Sequence, residues 1–258
     1  MNLPFEIHEA TGQYKRFPQK LLKKLNGSDK KIIIFWNTDQ VLHHDFRDQL
    51  KGINVDFLLF RTSLSKSLKL DYERVLPYLN STIFDFKPIN PSETDKPSIG
   101  FCGVAKKTLI THHRLRREYM EEMEESKEII TDFIYRHKYC GAKERKKTKW
   151  KTEFTQNLNN NIFNFCYRGR GNFSKRFYEV LSAGRIPVLI DSDTELPFEN
   201  EIDWQNKIIF AKTPDEAIKK MVYLYNNKDI IKMQIDCQRL HRKYFTERGF
   251  IENIHKMI

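Results

Sequence analysis

The chain has 258 residues, 40% of them hydrophobic, with 19 Phe and 11 Tyr; this suffices for one large packed unit or two small ones and excludes global disorder. A formal charge of +11 points to anionic partners such as nucleotides, acidic glycans, nucleic acid or a membrane surface, or else to lysines that only keep the surface soluble. Cys102, Cys140, Cys166 and Cys237 are scattered, without a CxxC pair or a His at zinc spacing, so they read as reduced, buried thiols rather than as a disulfide framework or metal site.

No apolar stretch opens the N-terminus as a signal peptide would, and no run approaches the ~18 apolar residues of a membrane span. A soluble, cytoplasmic chain is therefore expected.

In chain order, short apolar runs predict strands at Lys31–Trp36, Val55–Phe60 and Ser81–Phe86, with a helix at Gln40–Lys51 between the first two. Lys87–Pro97 (KPINPSETDKP) concentrates proline, Ser, Thr and Asp and reads as a linker. A second alternation follows: a strand at Ser98–Cys102 ending on Gly103, a long charged helix at Thr108–Ser126, and a strand at Ile129–Tyr135. The basic run Lys138–Lys151 reads as a solvated loop. Further on come a strand at Lys207–Ala211, helices at Pro214–Tyr225 and Asp229–Phe245, and Gly249 punctuating the tail. Strands alternating with helices define an α/β chain, and the simplest architecture is two small doubly wound domains, 1–90 and 98–258, hinged near residue 90.

The stretch from Asn164 to Asp191, NFCYRGRGNFSKRFYEVLSAGRIPVLID, reads as strand, glycine loop, helix and strand. Phe177, Val180 and Leu181 share one helical face, Ser174 can cap the first turn, and Gly184 supplies a left-handed exit. Gly169 and Gly171 let a ligand approach the backbone where the helix N-terminus opens. Arg168, Arg170, Lys175 and Arg176 crowd the same junction, so a diphosphate would meet several cations at once.

Gly169-x-Gly171-x-x-Ser174 with Asp191 about twenty residues on lies near the dinucleotide fingerprint. Dinucleotide folds use backbone amides there with few side-chain cations, and Ser174 stands at the third glycine position, so an oxidoreductase is the weaker reading. A non-catalytic module that binds an anionic glycan or nucleic acid is the other alternative, although no aromatic ladder or helix-turn-helix pattern supports nucleic acid.

Arg168 to Phe210 resembles the C-terminal part of exostosin-type glycosyltransferases: a glycine turn before S-x-R-F-x-E, a G-x-I-P-V strand, then L-P-F and I-D-W. Ser98–Gly103 (SIGFCG) and Arg242–Phe245 (RKYF) are similar as well, so the resemblance covers roughly residues 98–246. It implies a GT-B-like α/β fold, two Rossmann-like domains facing across a cleft with the N-terminal one small. It further implies transfer of a sugar from a UDP- or GDP-sugar to a glycan hydroxyl, inverting and metal-independent, without a cofactor. Carried onto this chain, Ser174 and Arg176 face the diphosphate and Glu179 reaches the nucleoside. Arg136 and Arg168 are further cations, Gly103 and Gly171 admit the donor close to the backbone, and Asp191-x-Asp193 is structural rather than metal-binding.

The acceptor base is expected from the first half, with Asp39 the first candidate and His43 and His44 next. The charge is compatible with peripheral contact with an anionic membrane, and no nucleic acid is expected.

Overall fold

The structure, a computed structural model, describes residues 23, 32–36, 56–79, 86–93, 95–138 and 144–258. Its described strands form two parallel sheets. The smaller contains β1 (Ile32–Trp36), β2 (Phe57–Arg61) and β3 (Glu73–Val75) in that order, with Ile32 opposite Phe57 and Leu59 opposite Glu73. The first two are the expected strands. β3 was not anticipated, because its charged Glu-Arg pair hides a strand signal that tertiary pairing supplies: Arg61 Nη1 donates to the buried Glu73 Oε1 at 2.6 Å. The expected helix at Gln40–Lys51 and residues 81–85 of the expected third strand lie outside the described residues.

The larger sheet contains β4 (Ser98–Val104), β5 (Ile130–Arg136), β6 (Phe163–Cys166), β7 (Ile186–Ile190) and β8 (Ile209–Ala211), in the order β5-β4-β6-β7-β8. β6 and β7 are buried along their whole length, as parallel strands covered by helices on both faces must be. Helix α1 (Thr111–Glu124) packs on β5, and α2 (Glu144–Asn160) packs on β4. Helix α3 (Lys175–Ser182) packs on β6 and β7, and α4 (Pro214–Asn227) on β7 and β8. α5 (Ile230–Leu240) packs on α3 and runs into a π-turn, His241–Phe245, before α6 (Glu247–Asn253).

Two sequence expectations are corrected here. The basic run up to Lys151 is not all loop, since α2 starts at Glu144; Lys, Glu and Arg are good helix formers, and pairs such as Lys149–Glu153 at 3.8 Å are spaced for a helix. Gly249 does not punctuate the tail. It lies buried inside α6, whose start is set by Thr246 accepting from Gly249 N at 3.0 Å. A Cβ at Gly249 would stand 2.5 Å from the Lys243 carbonyl oxygen, so the glycine allows close backbone packing.

The segment from Lys87 to Pro91 is anchored to the larger unit. Ile89 N donates to Gln234 Oε1 at 3.0 Å, Gln234 Nε2 donates back to Ile89 O at 2.8 Å, and Arg185 Nη2 donates to Lys87 O at 3.0 Å. At the other end of the chain α6 returns to the smaller sheet, where the Phe250 ring lies 6.3 Å from that of Phe60 and Arg74 Nε donates to Met257 O at 2.8 Å. One apolar core runs through both sheets, from Leu58 and Phe60 to Phe245 and Phe250.

Several motif residues converge beneath α3. Phe177 packs on Trp204 at 5.3 Å, Trp204 stacks on Phe245 at 6.0 Å, and Phe245 meets Phe198 at 6.2 Å. These are the aromatic letters of S-x-R-F, I-D-W, R-K-Y-F and L-P-F, and their role is to seat α3. The helix ends as expected: Gly184 N donates to Leu181 O at 3.0 Å and Arg185 N to Val180 O at 3.0 Å, with Gly184 at φ +62°, the pattern of a Schellman stop. A Cβ on Gly184 would lie 2.3 Å from the Phe86 ring.

Candidate functional site

In the larger sheet the chain runs outward from β4 to β5 and then reverses to β6 on the other side. The hydrogen-bonded register of β4 with β6 ends at Gly100 opposite Asn164, and beyond it the strands part. Parallel α/β sheets bind ligands in the crevice outside the carboxyl ends of their strands at such a reversal. Cys102, Gly103 and Val104 line one lip, Tyr167 and Arg168 the other.

Two arginines fill this point. Arg176, in the first turn of α3, donates from Nη2 to the Cys102 carbonyl oxygen. Its guanidinium lies between two rings, 4.5 Å from Phe101 and 5.0 Å from Phe154. Gly103 makes this possible, since a Cβ there would stand 2.9 Å from Arg176 Nη2. The room at Gly103 is thus taken by a protein cation. Arg116 bridges the two lips, donating from Nη1 to Val104 O at 2.7 Å and from Nη2 to Arg168 O.

Neither Arg116 nor Arg176 is ion-paired to a carboxylate among the described residues. Arg176 Nη1, Arg116 Nε and Arg168 Nε are buried donors without a hydrogen-bond partner. Burial lowers the pKa of Arg116 to about 10, with the Arg176 charge adding to the effect. Burial also lowers that of Arg176, against the opposing charge of Glu179. Two desolvated cations with unspent N–H groups are what an incoming dianion compensates.

The other sequence candidates are placed around this pair. Ser174 is buried at the N-cap position but makes no side-chain capping bond; Cys166, at the end of β6, donates to Asn164 O at 3.5 Å and has its pKa raised by burial to about 12. Glu179 is half-buried one turn further along α3, with Lys175 Nζ at 3.7 Å. Arg136, the last residue of β5, is turned onto α2, donating to Trp150 O at 2.9 Å and Glu153 Oε2 at 3.0 Å. Arg168 Nη2 donates to Arg170 O at 3.3 Å, and Arg170 is exposed. Gly169 has no heavy atom within 4 Å of where a Cβ would be, so the loop is open there, and Gly171 is buried. Asp39, His43 and His44 lie outside the described residues.

Sequence reasoning missed Arg116 and Asn172. Arg116 sits in a charged helix, and the signal that exposes it is its spacing: with the buried Met120 and Met123 it shares the i, i+4, i+7 face turned to the sheet. Asn172 hides among loop residues, yet it joins the glycine loop to both sheets. Its N donates to Ser63 Oγ at 2.8 Å and its Nδ2 to Ser65 Oγ at 2.7 Å. Ser192 Oγ donates to Asn172 Oδ1 at 2.8 Å, and Thr194 Oγ1 to Asn172 O at 2.8 Å.

Beside it an isolated antiparallel bridge pairs Ser65 with Thr194, and Lys66 N donates to Asp193 O at 2.9 Å. The Asp191-x-Asp193 carboxylates are spent in this seam. Asp191 Oδ1 accepts from Asp193 N at 2.8 Å, and Asp193 accepts from Ser67 N at 3.2 Å and from the Ser67 hydroxyl. The carboxyl ends of β2, β6 and β7 therefore meet, which brings the smaller sheet to the rim of the switch point.

A separate cavity of 570 Å³ lies where Lys66, Arg74 and Lys256 meet Phe198 and Glu199. Its lysines are already paired, Lys66 with Glu199 at 3.1 Å and Lys256 with Glu201 at 2.8 Å.

Two parallel sheets joined at their carboxyl edges, the larger flanked by helices in a Rossmann-like arrangement, with cations at its reversal of strand order, suit a GT-B-type glycosyltransferase architecture. Residues 34–228 match the family model described as Exostosin GT47 domain, and the chain belongs to this glycosyltransferase family. It is similar to Exostosin-1 of Drosophila melanogaster, 38% identical over 101 residues that make up 38% of this chain and 12% of that protein. Exostosin-1b of Danio rerio is 31% identical over 100 residues, 37% of this chain and 13% of the relative. The Exostosin-1 homolog of Caenorhabditis elegans is 26% identical over 112 residues, 43% of this chain and 29% of the relative. The matched stretch thus spans less than a third of each of these relatives. No described helix is long and apolar enough to cross a membrane.

Proposed function

We propose that the chain transfers a sugar from a UDP- or GDP-sugar to a hydroxyl of a glycan acceptor, in polysaccharide or glycoconjugate synthesis. In this reading residues 98–258 hold the donor and residues 1–90 the acceptor, in a cytoplasmic setting at a membrane periphery. The observation that carries it is the pair Arg116 and Arg176, half-buried at the switch point, without carboxylate partners among the described residues and each with one buried N–H group unspent.

As the glycosidic bond to the donor breaks, negative charge builds on the leaving diphosphate. Two fixed guanidinium groups and the opening turn of α3 stabilise that charge without reorganising. Arg116 and Arg176 enter from different helices, so they grip the group from two sides. Glu179, one turn beyond Arg176, is assigned to the nucleoside, and Ser174 and Arg168 to the rim of the diphosphate site. Chemistry of this kind proceeds without a metal, and inversion needs a base opposite the leaving group, a role assigned to Asp39 or His43.

Equilibrium binding of UDP, GDP and NAD to the native chain and to Arg176→Ala tests the reading. UDP or GDP is expected to bind and to weaken about 10- to 100-fold in the variant, the worth of one or two charge-assisted contacts. Arg116→Lys, which keeps the charge but cannot bridge both lips, is expected to weaken it less. Tight NAD binding that ignores both substitutions overturns the proposal. Hydrolysis of a nucleotide-sugar panel then identifies the donor.

A further inference from the structure

The loop between β4 and α1 ends in an apolar tip. Leu109 is 95% exposed and Ile110 52%, and among the described residues they form the one consecutive pair of exposed large apolar side chains. Single exposed leucines are ordinary, but an adjacent pair projecting from a loop leaves apolar surface in water that a partner can cover.

The surroundings of the tip are cationic. Lys106 precedes it, and neither Lys106 nor Arg170 has an ion-pair partner among the described residues. Lys107 is largely exposed although it reaches Glu121 at 3.0 Å, and Arg114 is half-exposed with Glu118 at 3.6 Å. These two carboxylates lie further along α1, behind the tip. Arg116 of α1 donates to Arg168 O, which ties the arginine-rich loop to the helix that follows the tip, and His112 in the first turn is held below its usual pKa by burial and then by Arg116, Arg168 and Arg170. An apolar wedge inside a ring of lysine and arginine matches the chemistry of an anionic bilayer surface, where apolar side chains enter the acyl boundary and cations meet headgroups.

We propose that Leu109 and Ile110 insert into an anionic lipid surface, with Lys106, Lys107, Arg114 and Arg170 against the headgroups. The tip grows from the same sheet edge as Val104 and Arg168, so docking there turns the switch-point crevice toward the membrane. This names the surface for the peripheral setting proposed above, but it rests on the loop, and its test needs neither donor nor turnover.

The experiment is co-sedimentation of the chain with phosphatidylcholine vesicles, with and without phosphatidylserine. Binding is expected only with the anionic lipid. Leu109→Ser/Ile110→Ser should weaken it about tenfold, from the apolar area left unburied. Lys106→Glu/Lys107→Glu should weaken it more than about 20-fold, at roughly fivefold for each cation lost. In Leu109→Trp the indole should report the apolar phase by a blue shift of the difference spectrum against the native chain. Absent binding to anionic vesicles, equal binding of both double variants, or sedimentation without a spectral shift each overturns the proposal. Since every change is on an exposed loop, far-UV circular dichroism should be unaltered. UDP binding measured on the same samples separates failure of this proposal from failure of the donor-site reading.

Discussion

Replacing Asn172 by Ala removes one side chain at the point where the glycine loop, the smaller sheet and the β7 exit meet. Two side-chain hydrogen bonds go, the 2.7 Å bond to Ser65 Oγ and the 2.8 Å bond from Ser192 Oγ. The bond from Asn172 N to Ser63 Oγ and the bond from Thr194 Oγ1 to Asn172 O use the Asn172 main chain and survive. Each lost neutral bond is worth about 1 kcal/mol, and part of the desolvation cost of stranded hydroxyls adds to it. Because Ser65 and Ser192 are only half-buried and water can replace the amide, the sum is about 2–3 kcal/mol. At about 2–4 °C per kcal/mol for a chain of this size, the melting point should fall by about 5–10 °C.

Urea unfolding of Asn172→Ala, Ser65→Ala and the double variant gives the coupling directly, and about 1 kcal/mol is expected for a direct bond. UDP affinity should fall as well, because the loop below Arg168 and Ser174 loses its tie. A stability loss under about 0.5 kcal/mol with no coupling refutes the claim that this residue sets the seam.

Glu73→Ala should cost about 3–5 kcal/mol, because it breaks the buried 2.6 Å Arg61–Glu73 ion pair, whereas Arg61→Met/Glu73→Leu should recover most of that loss in the same urea titration. Gly184→Ala meets both a positive φ and the Phe86 ring at 2.3 Å; a loss of about 2–4 kcal/mol is expected, partly relieved by Phe86→Ala, and strict additivity of the two would contradict the contact. His113 has its pKa lowered to about 4, by burial first and then by His112, Arg116 and Lys106. Its folded value lies below its unfolded one, so the unfolded chain binds the proton more tightly. Stability is complete above about pH 6.5 and is lost as pH falls toward 4, by about 1 kcal/mol once solvent screening is allowed for. His113→Gln should flatten that part of the stability profile, and an unchanged slope would assign it to other groups.

Much of the larger sheet was legible in the chain itself. Apolar runs such as IPVLI and FNFC, short and bounded by turn residues, suit buried parallel strands, and Gly184 ended α3 as its position required. The phosphate-site reading also came from local chemistry, since cations and glycines crowd one strand-to-helix junction. The three-residue β3 was not legible, because a charged Glu-Arg-Val run becomes a strand only when Arg61 is there to neutralise Glu73. The start of α2 was obscured by its charge.

Within the site, sequence marked Arg176 but not its setting. Its placement between Phe101 and Phe154 depends on residues 75 and 22 positions away, and on the glycine at 103 that leaves the space. Arg116 came to the crevice through the strand-order reversal, which no local pattern encodes. Asn172 became a hub because two separate sheets present serines to it. Local hydrophobic period and turn chemistry act over a few residues, and so determined most of the elements by themselves; desolvation and hydrogen-bond satisfaction act across the packed interior, and so only the tertiary structure decided which arginines lie at the switch point.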